Sequence, residues 1–345
     1  MINNYIFLDK NNDKVEIESD KIFIRLKNSL IDILDQKYRQ IKYIPIFDYS
    51  GHGEKIFYEI KIDKEIYEFK LTLIKVTSNI YCEIEAIVKN NHQAIKVLEN
   101  IDETIYSSQN FENNYIIIHS YDSISEYYCN KIYPSINNFE RLLRQLMLNI
   151  YTINFKKNYF EETIPSKIKE EIKERIGRVS KKDKEKIRNQ QFFYFLELNN
   201  IKDILFTKTW NSFDEQEKNN FLNTSFEILS KEEIKKQVEK MGPKSDWERF
   251  FYNKEINIDF KELLEKIRLL RNDVAHCKIF HKESYKDMNE YLILAIQNIK
   301  KAIKITENKD FVEQHEKYIK SINVDFIRIV EESITKLTQI SELLD

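Results

Sequence analysis

Residues 55–88 read KIFYEIKIDKEIYEFKLTLIKVTSNIYCEIEAIV, and their hydrophobic period decides the fold of the first third of the chain. Ile56, Tyr58, Ile60 and Ile62 fall on one side of an extended chain, with Glu59 and Lys61 on the other. Tyr67, Phe69, Leu71 and Leu73 alternate with Ile66, Glu68, Lys70 and Thr72. Cys82, Ile84, Ala86 and Val88 alternate with Tyr81, Glu83 and Glu85. Strand side chains point to opposite faces with period two, so three such runs predict an antiparallel sheet with one dry and one wet face. Gly51 and Gly53, flanking His52, predict the loop that enters it. A short helix over 92–105 and a strand over 115–119 complete the module.

From residue 122 the period changes. Ser123-x-x-Glu126 has capping-box spacing, and Pro134 with the Ser and Asn residues after it predicts a break. The next helix carries Phe139, Leu142, Leu143, Leu146 and Ile150. Helical spacing recurs near 166–176, 180–197, 212–221, 229–241, 257–278, 283–307 and 310–343. The expected class is therefore α+β: an N-terminal antiparallel-sheet module over 1–121, then a helical bundle over 122–345 with a long C-terminal helix.

Composition excludes several chemistries. The chain has 4 Gly among 345 residues, and neither G-x-G-x-x-G nor G-x-x-x-x-G-K-[ST] occurs. A dinucleotide fold or a P-loop needs such glycines so that backbone amides can approach phosphate. Cys82, Cys129 and Cys277 form no C-x-x-C pair, which argues against zinc and disulfides. The 55 basic and 57 acidic residues leave a net charge of −2, so any nucleic-acid contact has to be a local patch. The first residues, MINNYIFLDKNNDK, lack an apolar signal region, and no uncharged run is long enough to span a bilayer. The expectation is a cytoplasmic protein with no membrane segment, metal or cofactor.

Lys outnumbers Arg 44 to 11, a skew suited to AT-rich codons. Clustered arginines are therefore more informative than clustered lysines. The charged stretch over 166–190 reads as a solvated helix pair, with RNA-backbone contacts from Arg178, Lys181, Lys182 and Lys184 as the competing reading.

The segment richest in chemistry is Leu269-Leu270-Arg271-Asn272-Asp273-Val274-Ala275-His276. It closes an amphipathic helix whose core face is Phe260, Leu263, Leu264, Ile267, Leu270 and Val274. On a continuous helix Asn272 and His276 lie one turn apart, sharing the opposite face with Leu269. Arg271 then stands about 140° from His276. Bringing both to one substrate atom requires either a distorted helix or a site shared by two copies.

Arg271-Asn272-x-x-x-His276 resembles the R-[polar]-x-x-x-H motif of the HEPN superfamily, whose members are helical bundles. The LRNDVAH context resembles its Apea-like and abortive-infection ribonuclease branch, as do Phe139-Glu140-Arg141-Leu142-Leu143-Arg144 and Trp247-Glu248-Arg249-Phe250-Phe251. The likeness covers about 125–307. It implies a metal-independent endoribonuclease, a toxin-like effector of anti-phage defence working as a homodimer on an RNA substrate. The sheet module would then answer a phage-derived or cellular trigger. Arg271, Asn272 and His276 would be catalytic, Arg144, Arg141, His281 and Lys278 would hold substrate, and Glu140 would give structural support.

The residue types suit that chemistry. RNA supplies its own 2′-hydroxyl nucleophile, so the protein needs a proton carrier and a cation for the phosphorane. An imidazole titrates near neutrality, and a guanidinium forks onto two phosphate oxygens. The products would be 2′,3′-cyclic phosphate and 5′-hydroxyl ends. A plainer reading has His276 capping a helix end and Arg271 pairing with Glu140. A non-catalytic RNA- or nucleotide-binding or interaction module is the corresponding alternative function.

Overall fold

The alternation at 55–88 folds as consecutive antiparallel strands. The computed structural model describes residues 1–10, 19–48, 51–76, 79–155, 164–179, 192–209, 215–251, 256, 259–308 and 335–341. Two compact units emerge, one formed by 1–133 with 273–286 and the other by 134–272 with 287–345. The boundary read at 121/122 is where the last strand passes into a helix, whereas the compact units divide at Pro134.

The first unit holds a six-stranded antiparallel sheet: β1 (Ile2–Asp9), β2 (Arg39–Asp48), β3 (Gly51–Ile62), β4 (Glu65–Val76), β5 (Asn79–Ile87) and β6 (Tyr115–Asp122). Their order is β2-β3-β4-β5-β1-β6. Register aligns the dry face across the strands, with Tyr58 opposite Phe69, Leu71 opposite Ile84 and Tyr5 opposite Cys82. All six of these side chains are buried. Helices α1 (Ser19–Lys37) and α2 (Asn91–Tyr106) contribute Leu26, Leu30, Leu34, Ile95, Leu98, Ile101 and Ile105 to the unit's core. Each such side chain stabilises by about 1.5–3 kcal/mol when fully buried. A further short helix, α3 (Gln109–Asn114), leads into β6.

Several expectations are corrected here. Gly51 and Gly53 lie within β3, pairing with Asp48 and Ile46 of β2, and not in a loop. Strand β2 carries Pro45 and exposed Ile41 and Tyr43 at the sheet edge, where a missing ladder N–H is tolerated. That weak alternation hides the partner which extends β3 backward. Likewise β1 has apolar residues on both faces, so its period is not distinct.

Helix α4 (Ser123–Phe155) continues across Pro134 without a break. Pro costs a helix interior one N–H and a clash with the preceding turn. Here Ile132, Ile136, Phe139 and Leu143 continue one buried stripe across it, so packing prevails. The cap is Asp122, whose Oδ1 accepts the amides of Ile124 at 2.9 Å and Ser125 at 3.1 Å. Ser123, the expected cap, turns to β1: its hydroxyl donates to the Ile2 carbonyl at 2.6 Å, and its amide donates to Asn3 Oδ1 at 2.9 Å. Glu126 receives the Tyr121 hydroxyl at 2.7 Å.

The second unit is helical: α5 (Ser166–Arg178), α6 (Leu198–Phe206), α7 (Glu215–Asn223), α8 (Lys231–Met241), α9 (Asp246–Phe251), α10 (Phe260–Ala275) and α11 (Lys282–Thr306). Helices α10 and α11 extend at one end into the 273–286 segment of the first unit. Leu146, Met147, Ile150, Leu264, Ile267, Leu292, Ala295 and Ile299 are buried in the second unit. Phe192–Phe195 forms a 3-10 turn where a helix over 180–197 was expected, and 180–191 lies outside the described residues. Of the helix expected at 310–343, residues 335–341 are helical and the rest lies outside the described residues.

Candidate functional site

Helix α10 buries Phe260, Leu263, Leu264 and Ile267 and leaves Leu269 52% exposed, as its amphipathic pattern predicts. It ends sooner than expected, at Ala275 and not 278. Cys277 adopts a left-handed conformation with φ 50°, and two backbone bonds close the turn. The Cys277 amide donates to the Val274 carbonyl at 3.4 Å, and the Lys278 amide donates to the Asp273 carbonyl at 3.0 Å. This pair of bonds is the Schellman C-cap, usually built on glycine. His276, directly after the last helical residue, is exposed in the closing turn, as are Ala275, Cys277 and Lys278.

Arg271 is half-buried, and its Nε donates to Glu140 Oε1 at 3.1 Å. Arg144 Nη1 donates to the other oxygen, Glu140 Oε2, at 3.0 Å. One carboxylate thus holds two guanidiniums. Arg144 also donates to the carbonyls of Phe193 and Leu196, both at 3.2 Å, and so clamps α4 to the 3-10 turn. Among the residues expected to hold substrate, Arg144 is thus engaged by protein acceptors, while Arg141 is exposed. Lys278 Nζ bonds Asp273 Oδ1 at 2.9 Å across the turn. Arg178, the described member of the basic stretch, pairs with Glu174. In Trp247-Glu248-Arg249-Phe250-Phe251 the rings are buried, and Arg249 binds Asp246 at 3.0 Å and the Thr209 carbonyl.

His281 belongs to a second constellation, wholly inside the first unit and not anticipated from sequence. A cleft of about 710 Å³ is lined by α2 residues Asp102, Glu103 and Tyr106, by His119 of β6, and by His281 and Glu283. Asp102 is only 6% exposed, and its Oδ1 accepts the Tyr5 hydroxyl. Burial raises the Asp102 carboxyl above the usual range, partly opposed by that hydroxyl. Tyr5 in turn is pushed well above the ordinary phenol range, by burial first and then by Asp102. His119 Nε2 shares a 2.7 Å hydrogen bond with the Tyr106 hydroxyl, and the two rings stack 3° from parallel.

The 273–286 segment is held against α4 by a polar chain. The Phe280 amide donates to Ser125 Oγ at 2.9 Å, and that hydroxyl donates to Asp122 Oδ2 at 2.5 Å. His281 Nε2 faces the same oxygen at 3.7 Å, an ion-pair distance beyond hydrogen-bond reach. Burial would raise Asp122, but His281 and Ser125 outweigh it and hold the carboxyl far below the usual range. The Asp122 carboxylate correspondingly raises His281. Asp102 Oδ2, His119 Nδ1 and His281 Nε2 are buried without a hydrogen-bond partner. Three orphan polar atoms around one cleft are unusual, because each costs about 1–3 kcal/mol when unsatisfied.

His119 was an ordinary strand histidine by its sequence context, and Asp102 one acid among many on α2. Only the D-S-I-S run at 122–125 carries a signal, an Asp cap one residue before the Ser123 of the capping-box spacing. Compared with protein-family models, curated proteins and solved structures, the chain matches none of them.

Proposed function

We propose that the chain is a metal-independent endoribonuclease of the HEPN kind, in which His276 moves the proton and Arg271 stabilises the phosphorane. The observation that carries this reading is the Glu140–Arg271 contact at 3.1 Å, which joins the E-x-x-x-R helix to the motif helix. A carboxylate on Nε fixes the plane of a guanidinium while its Nη groups remain chemically competent to fork onto phosphate. Exposure of His276 and partial exposure of Arg271 and Asn272 agree with access by a large substrate. Exposed Leu269 on the same helix agrees with a homodimer that supplies a second motif. In this reading the protein is a toxin-like anti-phage effector of the cytoplasm, restrained by its sheet module. Among the described residues no helix is long and apolar enough to cross a membrane.

End-group analysis of RNA after induced expression tests the proposal. New 2′,3′-cyclic phosphate and 5′-hydroxyl ends, absent in His276→Ala, are expected. Identical RNA ends in the wild type and the variant, with the trigger present, would overturn it. The second reading, a non-catalytic RNA- or nucleotide-binding module, is favoured by Arg144, whose guanidinium is taken up by Glu140 and by the carbonyls of Phe193 and Leu196.

A further inference from the structure

We propose that the cleft of the first unit is a binding site for a small organic cation, an amine or guanidinium compound presenting N–H donors. Its volume, about 710 Å³, lies within the range of small-molecule pockets. The charge balance selects the ligand. Lys282 already faces Glu99 at 3.6 Å, and His281 faces Asp122 at 3.7 Å. These two cations of the lining are thus matched by carboxylates. Asp102, Glu103 and Glu283 remain, and among the described residues no ion pair engages them. An anion entering here meets three carboxylates that no ion pair engages, with His281 as the cation acting on Asp102 and Glu283 from nearby, and a cation meets their net attraction in a partly desolvated space.

Acidic lining alone would describe any solvated surface, and Asp102 is what distinguishes this one. Its side chain lies at the cleft with 6% exposure, held on one oxygen by Tyr5 and unpartnered on the other. Tyr5 is itself fixed, accepting a hydrogen bond from Asn3 Nδ2 at 3.1 Å. The carboxylate is therefore positioned by a buried chain and lacks only a donor. His119 Nδ1, also without a partner, offers a second polar contact. Tyr106, stacked on His119, adds an aromatic wall that attracts cations through its π-face. One N–H of such an amine or guanidinium compound satisfies Asp102 Oδ2 and removes the cost of an orphaned acceptor. The site stands on these contacts whether or not the chain cuts RNA.

Calorimetric titration of the full chain at low salt with agmatine and with spermidine tests the proposal. AMP and inorganic phosphate serve as anionic counterparts, and an arginine-containing tetrapeptide serves as a polypeptide source of the same cation. Saturable one-site binding of agmatine or spermidine is expected, weakened at least tenfold in Asp102→Asn, which keeps an acceptor for Tyr5. The double variant Glu103→Gln/Glu283→Gln changes exposed residues only, so it keeps the test decisive even if Asp102→Asn fails to fold. It should weaken binding at least threefold and flatten its salt dependence. Failure of both amines to bind overturns the proposal, as does affinity unchanged in the double variant. Tighter binding of AMP or phosphate, or binding of the peptide alone, overturns it too.

Discussion

Arg271 donates its Nε–H to Glu140 Oε1 at 3.1 Å, and the partner oxygen of the same carboxylate is taken by Arg144. Glu140 is mostly buried, with 16% side-chain exposure, so its loss leaves two guanidiniums without their acceptor. Glu140→Ala should destabilise the second unit by about 1.5–3 kcal/mol, the range for hydrogen bonds to charged groups. Chemical denaturation measures this directly. A loss below about 0.5 kcal/mol, typical of an ordinary surface site, would show that the bridge contributes nothing.

His276 separates function from stability. It is exposed in the turn that closes α10, so His276→Ala should change unfolding free energy by no more than about 0.5 kcal/mol. RNA cleavage should nevertheless fall by at least 100-fold, as expected when a general acid or base is removed. A variant that still cleaves at a wild-type rate removes His276 from the mechanism.

The Asp122–His281 pair gives a pH dependence whose sign is set. His281 is raised when folded, so its contribution is complete below the ordinary imidazole range near about 6.5 and is lost as pH rises through the folded value. Asp122 is lowered when folded, so its contribution is complete above about 3.9 and is lost on acidification. The pair should stabilise most at mildly acidic pH. Thermal melts of Asp122→Asn across pH 4–8 should lie closer to a flat line than those of the wild type. Parallel curves would show that the pair is not coupled to folding.

Among the three left-handed non-glycine residues described, two predict stabilising substitutions. Cys277 has φ 50° in the helix-closing turn, and Lys64 has φ 71° in the β3–β4 hairpin beside Asp63 at φ 50°. A side chain in this conformation costs about 1–2 kcal/mol, offset in part by the greater unfolded-state entropy of glycine. Cys277→Gly and Lys64→Gly should each raise stability by about 0.5–1 kcal/mol in denaturant titrations. A decrease at Cys277 would mean that its thiol makes contacts that outweigh the backbone gain.

The sequence by itself determined what depends on local period. Alternation at 55–88 specified three strands and their dry face, because a pleated chain places every second residue on the same side. Helical spacing located α10, and the E-x-x-x-R and R-N-x-x-x-H residues are legible in the sequence itself. Local pattern could not determine what a distant segment supplies. Gly51 and Gly53 became strand because β2 offered a ladder, and Pro134 stayed helical because a buried stripe crosses it. Cys277 ended α10 because a backbone turn closed there without glycine. The cleft is the extreme case. Asp102 comes from α2, His119 from β6 and His281 from the segment after α10, and neither composition nor spacing relates them. Only the folding of 273–286 into the first unit brings these residues to one cleft, where Asp102 Oδ2 and His119 Nδ1 are buried without a hydrogen-bond partner.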